Sequence, residues 1–150
     1  MSFPSANSLI GKDDCQQLVD AAMPMAEYLL AKNGEFYPFG EKMLGSGEIV
    51  RTQVLSESDS SASQDLIDLI RESFRREAEV GALRATAIVS DVLIGATGTD
   101  QKSNAISIQM EHLQGYSATV CFPYELEVGK VVLADPFLQQ GVGGIFPPSA

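Results

Sequence analysis

The sequence predicts an α+β domain: a two-layer arrangement in which two helices cover a mainly antiparallel sheet of about five to six strands, in the order α-β-β-α-β-β-β-β. Three observations carry this expectation. Two long stretches repeat apolar residues with helical spacing, and others alternate them with period two, the mark of a half-buried strand. The strand stretches are joined by short glycine turns, which make antiparallel neighbours. No strand–helix–strand series is present, so a doubly wound parallel sheet is not expected.

Residues 1–12 carry no period and read as a loose lead-in; residues 13–135 are expected to form the domain and 136–150 a glycine- and proline-rich tail. From Asp13 the pattern turns helical, with Cys15, Leu18, Val19, Ala22, Ala26, Leu29 and Leu30 on one face and Met25 beside them. Asp13 or Asp14 can cap the start, and Asn33-Gly34 is a left-handed stop. Pro24 lies inside this run and removes the amide that would bond Asp20, which predicts a kink or two shorter helices.

Phe36-Tyr37-Pro38-Phe39-Gly40 leads into a first hairpin, Glu41–Leu44 and Glu48–Leu55, connected by Gly45-Ser46-Gly47. Pro38 cannot donate to a central ladder and belongs at a strand start or on an edge. Ser56–Ser63 is a polar connector without a period, read as a plain loop with phosphorylation as the alternative. A second helix is expected from about Ala62 to Val80, capped by Ser61 with Gln64 or by Ser63 and ended by Gly81. Leu66, Ile67, Ile70, Phe74 and Ala78 form its apolar face. Arg84–Ile94 is apolar on both faces and rich in β-branched residues, as a central strand covered on both sides should be.

The next segment is legible to the level of register. A two-residue turn at Gln114-Gly115 would pair Val120 with Gln109 and mix core with solvent. A three-residue loop, Leu113-Gln114-Gly115, pairs His112 with Tyr116, Met110 with Ala118, Ile108 with Val120 and Ile106 with Phe122. Glu111 then faces Ser117, Gln109 faces Thr119 and Ser107 faces Cys121. Gly115 supplies the left-handed residue that closes such a loop. A last strand, Val131–Ala134, follows Gly129-Lys130. From Asp135 little regular structure is expected.

Bulk properties bound the function. A chain of 150 residues reads as one domain, and one of this size buries roughly 68–70% of its unfolded surface. Hydrophobic content of 45% and a mean hydropathy of +0.04 are those of a globular chain. A net charge of −10 disfavours nucleic acid and anionic membrane as partners and is otherwise read as a solubility device. The two cysteines, Cys15 and Cys121, form no Cys-x-x-Cys or disulfide framework, and no signal-peptide or membrane-spanning run is seen, so a cytoplasmic, reduced setting is expected.

Catalytic motifs are mostly lacking. A single histidine, His112, rules out multi-histidine metal sites, and no P-loop, Gly-x-Ser-x-Gly or Asp-x-Asp-x-Asp loop occurs. No cofactor or metal is expected. Glu111-His112 beside Tyr116 is the sharpest local constellation, since a histidine on a carboxylate or phenol can act as a base. The register separates the pair, placing Glu111 and Cys121 on one face and His112 with Tyr116 on the other. His112 is therefore expected to be a partly buried residue stacked on Tyr116. Arg71, Arg75, Arg76 and Arg84 read as a solvated face among Glu72, Glu77 and Glu79, with recognition of a carboxylate as the alternative. Tyr37 and Tyr124 each neighbour a proline near a strand end. With His112 and Tyr116 they are the candidate pocket residues.

Phe36-Tyr-Pro-Phe-Gly40, Asn104-Ala-Ile106, Glu111-His112, Gly115-Tyr116 and Pro123-Tyr124 resemble a group of uncharacterised bacterial proteins of about this length, over residues 15–135. The resemblance implies one α+β domain and no substrate, cofactor or catalytic residue. The functional expectation is a non-enzymatic cytoplasmic protein-interaction domain, self-associating, with a protein partner or a second copy as ligand. The alternatives are a small-molecule binder or modest enzyme with a pocket between helix and sheet, and an acidic inhibitor or immunity-type protein.

Overall fold

The computed structural model describes residues 6–53, 63–95 and 102–146. Its elements run α1 (Ala6–Asn33), β1 (Phe39–Leu44), β2 (Ile49–Thr52), α2 (Ser63–Glu79), β3 (Leu83–Gly95), β4 (Lys102–His112), β5 (Ser117–Glu127), β6 (Lys130–Leu133) and β7 (Phe137–Gln140). The expected α+β class and order of elements are what the structure shows. The strands form one antiparallel sheet in the order β2-β1-β3-β4-β5-β6, with β7 also paired to β5. The helix-on-sheet packing is made twice, once on each face. No described helix is long and apolar enough to cross a membrane.

On one face α1 buries Cys15, Leu18, Val19, Ala22, Ala26 and Leu30 against Ala85, Ala87, Val89, Ile106, Ile108 and Val120. The alanines of β3 let the helix approach closely. The second face carries the smaller cluster of α2, in which Ile67, Ile70, Phe74 and Ala78 meet Leu83 and Ile88. That approach depends on Gly40, where a Cβ would lie 2.5 Å from Phe74 Cζ and 3.1 Å from Ile70 Cγ2. β3 is therefore covered on both sides, which is why its sequence shows no alternation.

The β4–β5 register is the expected one. Met110 pairs with Ala118, Ile108 with Val120 and Ile106 with Phe122, while Glu111, Gln109 and Ser107 pair with Ser117, Thr119 and Cys121. His112 N–H donates to Tyr116 O at 2.8 Å, and Gly115 closes the loop at φ 97°. Gly34 ends α1 at φ 79°, its amide bonded to Leu30 O at 2.8 Å.

Three expectations differ from the structure. The helix begins at Ala6 rather than Asp13, so much of the supposed lead-in is helical. It also runs through Pro24 as one element, so of the two expected outcomes the division into two shorter helices is not what forms. Pro24 is exposed, and Arg51 Nη2 donates to the neighbouring Ala21 carbonyl at 3.2 Å, in the turn that the proline ring crowds. The supposed irregular tail contains β7, which pairs Phe137–Gln140 with Cys121–Ala118. No alternation announces β7 because all four of its residues are exposed at the sheet margin. Most of the connector Ser56–Ser63, with its Ser61 cap, lies outside the described residues; Ser63 is the first residue of α2.

Candidate functional site

Four polar constellations join elements of the fold: three link elements distant in sequence, and one, Glu41–Arg51, lies within the β1–β2 hairpin. At the closed end of the β4–β5 hairpin, His112 is buried under the first half of α1. Its Nε2 lies 2.7 Å from Asp14 Oδ2, and Arg84 donates to the same carboxylate through Nε at 2.7 Å and Nη2 at 3.2 Å. The Gln114 amide donates to His112 Nδ1 at 2.9 Å, so Nδ1 is the acceptor and Nε2 carries the proton that Asp14 receives. Both ring nitrogens are engaged. Gly11 lies over this ring, where a Cβ would stand 3.2 Å from His112 Cγ and 3.0 Å from Tyr116 Cβ.

Beside it, Cys15 is buried; burial, then the charges of Asp14 and Glu111, push its thiol up to about 12. Burial also raises the Tyr116 phenol, with Cys15 adding to the effect. A thiol held that high stays protonated and is a poor nucleophile. Cys121, on the other face, is likewise raised by burial, against a hydrogen bond with Ser107.

At the opposite end of the sheet, Tyr124 O–H donates to Asp91 Oδ1 at 2.6 Å. Burial raises the Asp91 carboxyl, opposed by this bond and by the Phe36 backbone; burial and Asp91 together raise the Tyr124 phenol. The third constellation is Glu41, buried on the α1 face with Arg51 Nε at 2.5 Å, the guanidinium lying 5.7 Å from the Phe39 ring centre. Burial lifts the Glu41 carboxyl, and Arg51 only partly opposes it.

The fourth lies on the α2 face. Glu111 is buried there, and its Oε2 accepts the amides of Ile145 at 2.9 Å and Phe146 at 2.7 Å. From α2, Arg71 Nη1 donates to Gly143 O at 2.9 Å and Arg75 Nε to Gly144 O at 3.2 Å; Arg71 Nη2 also bonds Gln109 Oε1. Burial lowers the Arg71 guanidinium, with Glu111 the foremost opposing charge.

The four candidate residues divide between the two ends of the sheet. His112 and Tyr116 sit at the hairpin end, and Tyr124 is eight residues further along, roughly 26 Å at the strand rise. Tyr37 lies in the segment before β1 and is 68% exposed; its neighbour Phe36 bonds through its backbone to the Asp91 carboxylate that Tyr124 also meets. The expectation that His112 is half-buried and only stacked is corrected: it is 2% exposed and held by Asp14. The arginines are not a uniform solvated face either. Arg71 and Arg84 have internal partners, and the exposed ion pairs are those of Arg75 and Arg76 with Glu72 at 3.1 and 3.4 Å. Among the described residues no three His, Cys, Asp or Glu side chains are grouped to hold a metal ion.

No family model, curated protein or solved structure matches the chain.

Sequence reasoning offers Asp14 only as a helix cap and Arg84 only as part of a solvated face, and it passes over Glu41 and the Glu111–tail contact. Asp14 lies on the α1 stripe between buried positions, and Glu41 follows an apolar run in β1, so a charge at a core-phase position was the one local signal available.

Proposed function

We propose that this chain is a non-enzymatic protein-interaction domain that self-associates through the β5–β6–β7 margin of its sheet. One observation carries the reading: Leu126, Val132, Leu133, Phe137, Leu138 and Val142 are all exposed there. By register Leu126, Leu133 and Leu138 share the α1 face, while Val132 and Phe137 lie on the other. The three leucines share one face of this margin, and exposed apolar side chains grouped on one face mark an interaction site. The same reading is supported by the polar constellations, whose catalytic-type groups are engaged in holding elements together.

The margin favours a closed dimer over open-ended strand addition. β6 and β7 lie in line along β5, but between the Tyr124–Leu133 and Cys121–Phe137 pairs the tail uses four steps against three on β5. The extra residue falls at Ala134-Asp135-Pro136, and Pro136 has no amide to offer a neighbour. An irregular, proline-bearing edge resists sheet extension, which leaves side-chain contact about a twofold axis. The two buried thiols suit a reducing compartment such as the cytoplasm.

Light scattering coupled to size exclusion tests the proposal. The expected result is a dimer that the double substitution Leu133→Asp and Leu138→Asp converts to a folded monomer. A wild-type chain that stays monomeric at the highest attainable concentration refutes it.

A further inference from the structure

The segment Gly143–Phe146 contacts the rest of the chain in an unusual way for a piece of its own core. The described hydrogen bonds that hold it go to its backbone: two arginines of α2 take the carbonyls of Gly143 and Gly144, and Glu111 of β4 takes the amides of Ile145 and Phe146. Ile145, at 2% exposure, enters the cluster of Ile70, Phe74 and Ile88, and the half-buried Phe146 packs against the same cluster. Gly143 and Gly144 hold φ of 73° and 92°, which turns successive backbone groups alternately toward the arginines and the carboxylate. These are the elements of peptide recognition: main-chain groups read by fixed charges, with one apolar pocket for an anchor.

From this we infer that the cleft between α2 and β4 is a peptide-binding site, occupied in the resting chain by the chain's own Gly-Gly-Ile-Phe segment. Its external ligand is a segment of a partner protein that turns at two glycines ahead of an aliphatic anchor. The segment in place displays that chemistry. Glycine is required where φ is positive, an aliphatic side chain fits the Ile145 pocket, and the bonds to backbone leave the other positions free. Opening would expose the apolar cluster of Ile70, Phe74 and Ile88, so the segment gives way only to another occupant with an apolar anchor. Arg71, Arg75 and Glu111 regain water when the segment leaves, whereas a wholly apolar cover would expose only hydrocarbon.

A tethered occupant acts at an effective concentration of millimolar order, so an outside peptide sees a cleft that is mostly filled. The test therefore uses the full chain and a version with a weakened tether. A fluorescent peptide Gly-Val-Gly-Gly-Ile-Phe is titrated into the wild-type protein and into the double variant Gly143→Ala, Gly144→Ala, which strains the segment at positive φ and leaves the cleft untouched. The variant should bind at least about tenfold more tightly than wild type, from the cost of left-handed alanines. Adding Arg71→Ala should abolish the gain.

In the wild-type chain, excess peptide should also speed hydrogen exchange at the Ile145 and Phe146 amides, a readout that needs no variant to fold. Peptide that leaves those amides protected, or that binds the Arg71→Ala chain equally well, overturns the inference. The cleft is independent of the dimer margin, and molecular mass measured on the same samples separates them. A monomer that binds peptide refutes self-association alone, and a dimer that does not bind refutes the cleft alone.

Discussion

His112 Nε2 and Asp14 Oδ2 meet at 2.7 Å, joining the last residue of β4 to a helical residue 98 positions earlier. Arg84, on the neighbouring strand, completes the arrangement through the same carboxylate. One buried anion thus ties α1 to β3 and β4 at the hairpin end. With Nδ1 accepting from Gln114 and Nε2 donating to Asp14, neither nitrogen is left to take a proton from a substrate. The geometry is that of a structural histidine.

Removing the centre of this network should cost more than removing either arm. Asp14→Ala leaves the buried imidazole N–H without an acceptor and Arg84 without its counter-charge, and is expected to destabilise by about 3–5 kcal/mol. His112→Ala should cost less, since Arg84 still neutralises Asp14. Urea midpoints at unchanged m-value rank the two variants, and an equal cost would show that the carboxylate is not the hub.

Glu41 should make stability fall as pH rises. Its carboxyl is raised above the ordinary value of 4.5, chiefly by burial. Between that value and the higher folded one, the unfolded chain has released the proton while the folded chain still holds it. Stability from this group is therefore present below about pH 4.5 and declines as pH climbs through the raised value. The comparison is wild type against Glu41→Gln in urea midpoints across a pH series. The difference between them should change with pH over that window and flatten outside it.

Gly115 is where the register is enforced. It sits at φ 97° with its amide on His112 O at 3.0 Å. Gly115→Ala should lower stability by about 1–2 kcal/mol through the left-handed backbone alone. Deleting Gln114 is harsher, because it removes the three-residue closure in which the Gly115 amide bonds His112 O and takes away the amide that bonds His112 Nδ1. The deletion should lower Tm in calorimetry by more than the alanine variant does.

Gly40 governs how near α2 comes to β1. A methyl there meets Phe74 Cζ at 2.5 Å and Cε2 at 3.0 Å, so Gly40→Ala should cost about 1–3 kcal/mol by overpacking. Phe74→Leu makes a small cavity in the same place. If the contact is the cause, the double variant will be more stable than the sum of the singles implies, as a double-mutant cycle measures.

The division between local and tertiary information runs along particular residues. Leu18, Ala22, Ala26 and Leu30, or Ile67, Ile70 and Phe74, are spaced so that a helix of either segment must present them together. Ile106, Ile108 and Met110 do the same for a strand, and Gly115 restricts the loop to one length. These constraints act over a few residues, so the helices, the hairpin and the β4–β5 register were determined by the sequence alone.

What the tertiary structure decided was partnership. Nothing near His112 in the chain points to Asp14, nor anything near Glu111 to the amides of Ile145 and Phe146. A hydrogen bond between distant residues leaves no periodic trace and forms only when packing excludes water and brings the groups within about 3 Å. β7 escaped for the same reason: an exposed edge strand owes its shape to β5, not to an apolar face of its own. The sequence contains every residue of these contacts, and the fold selects which of them meet.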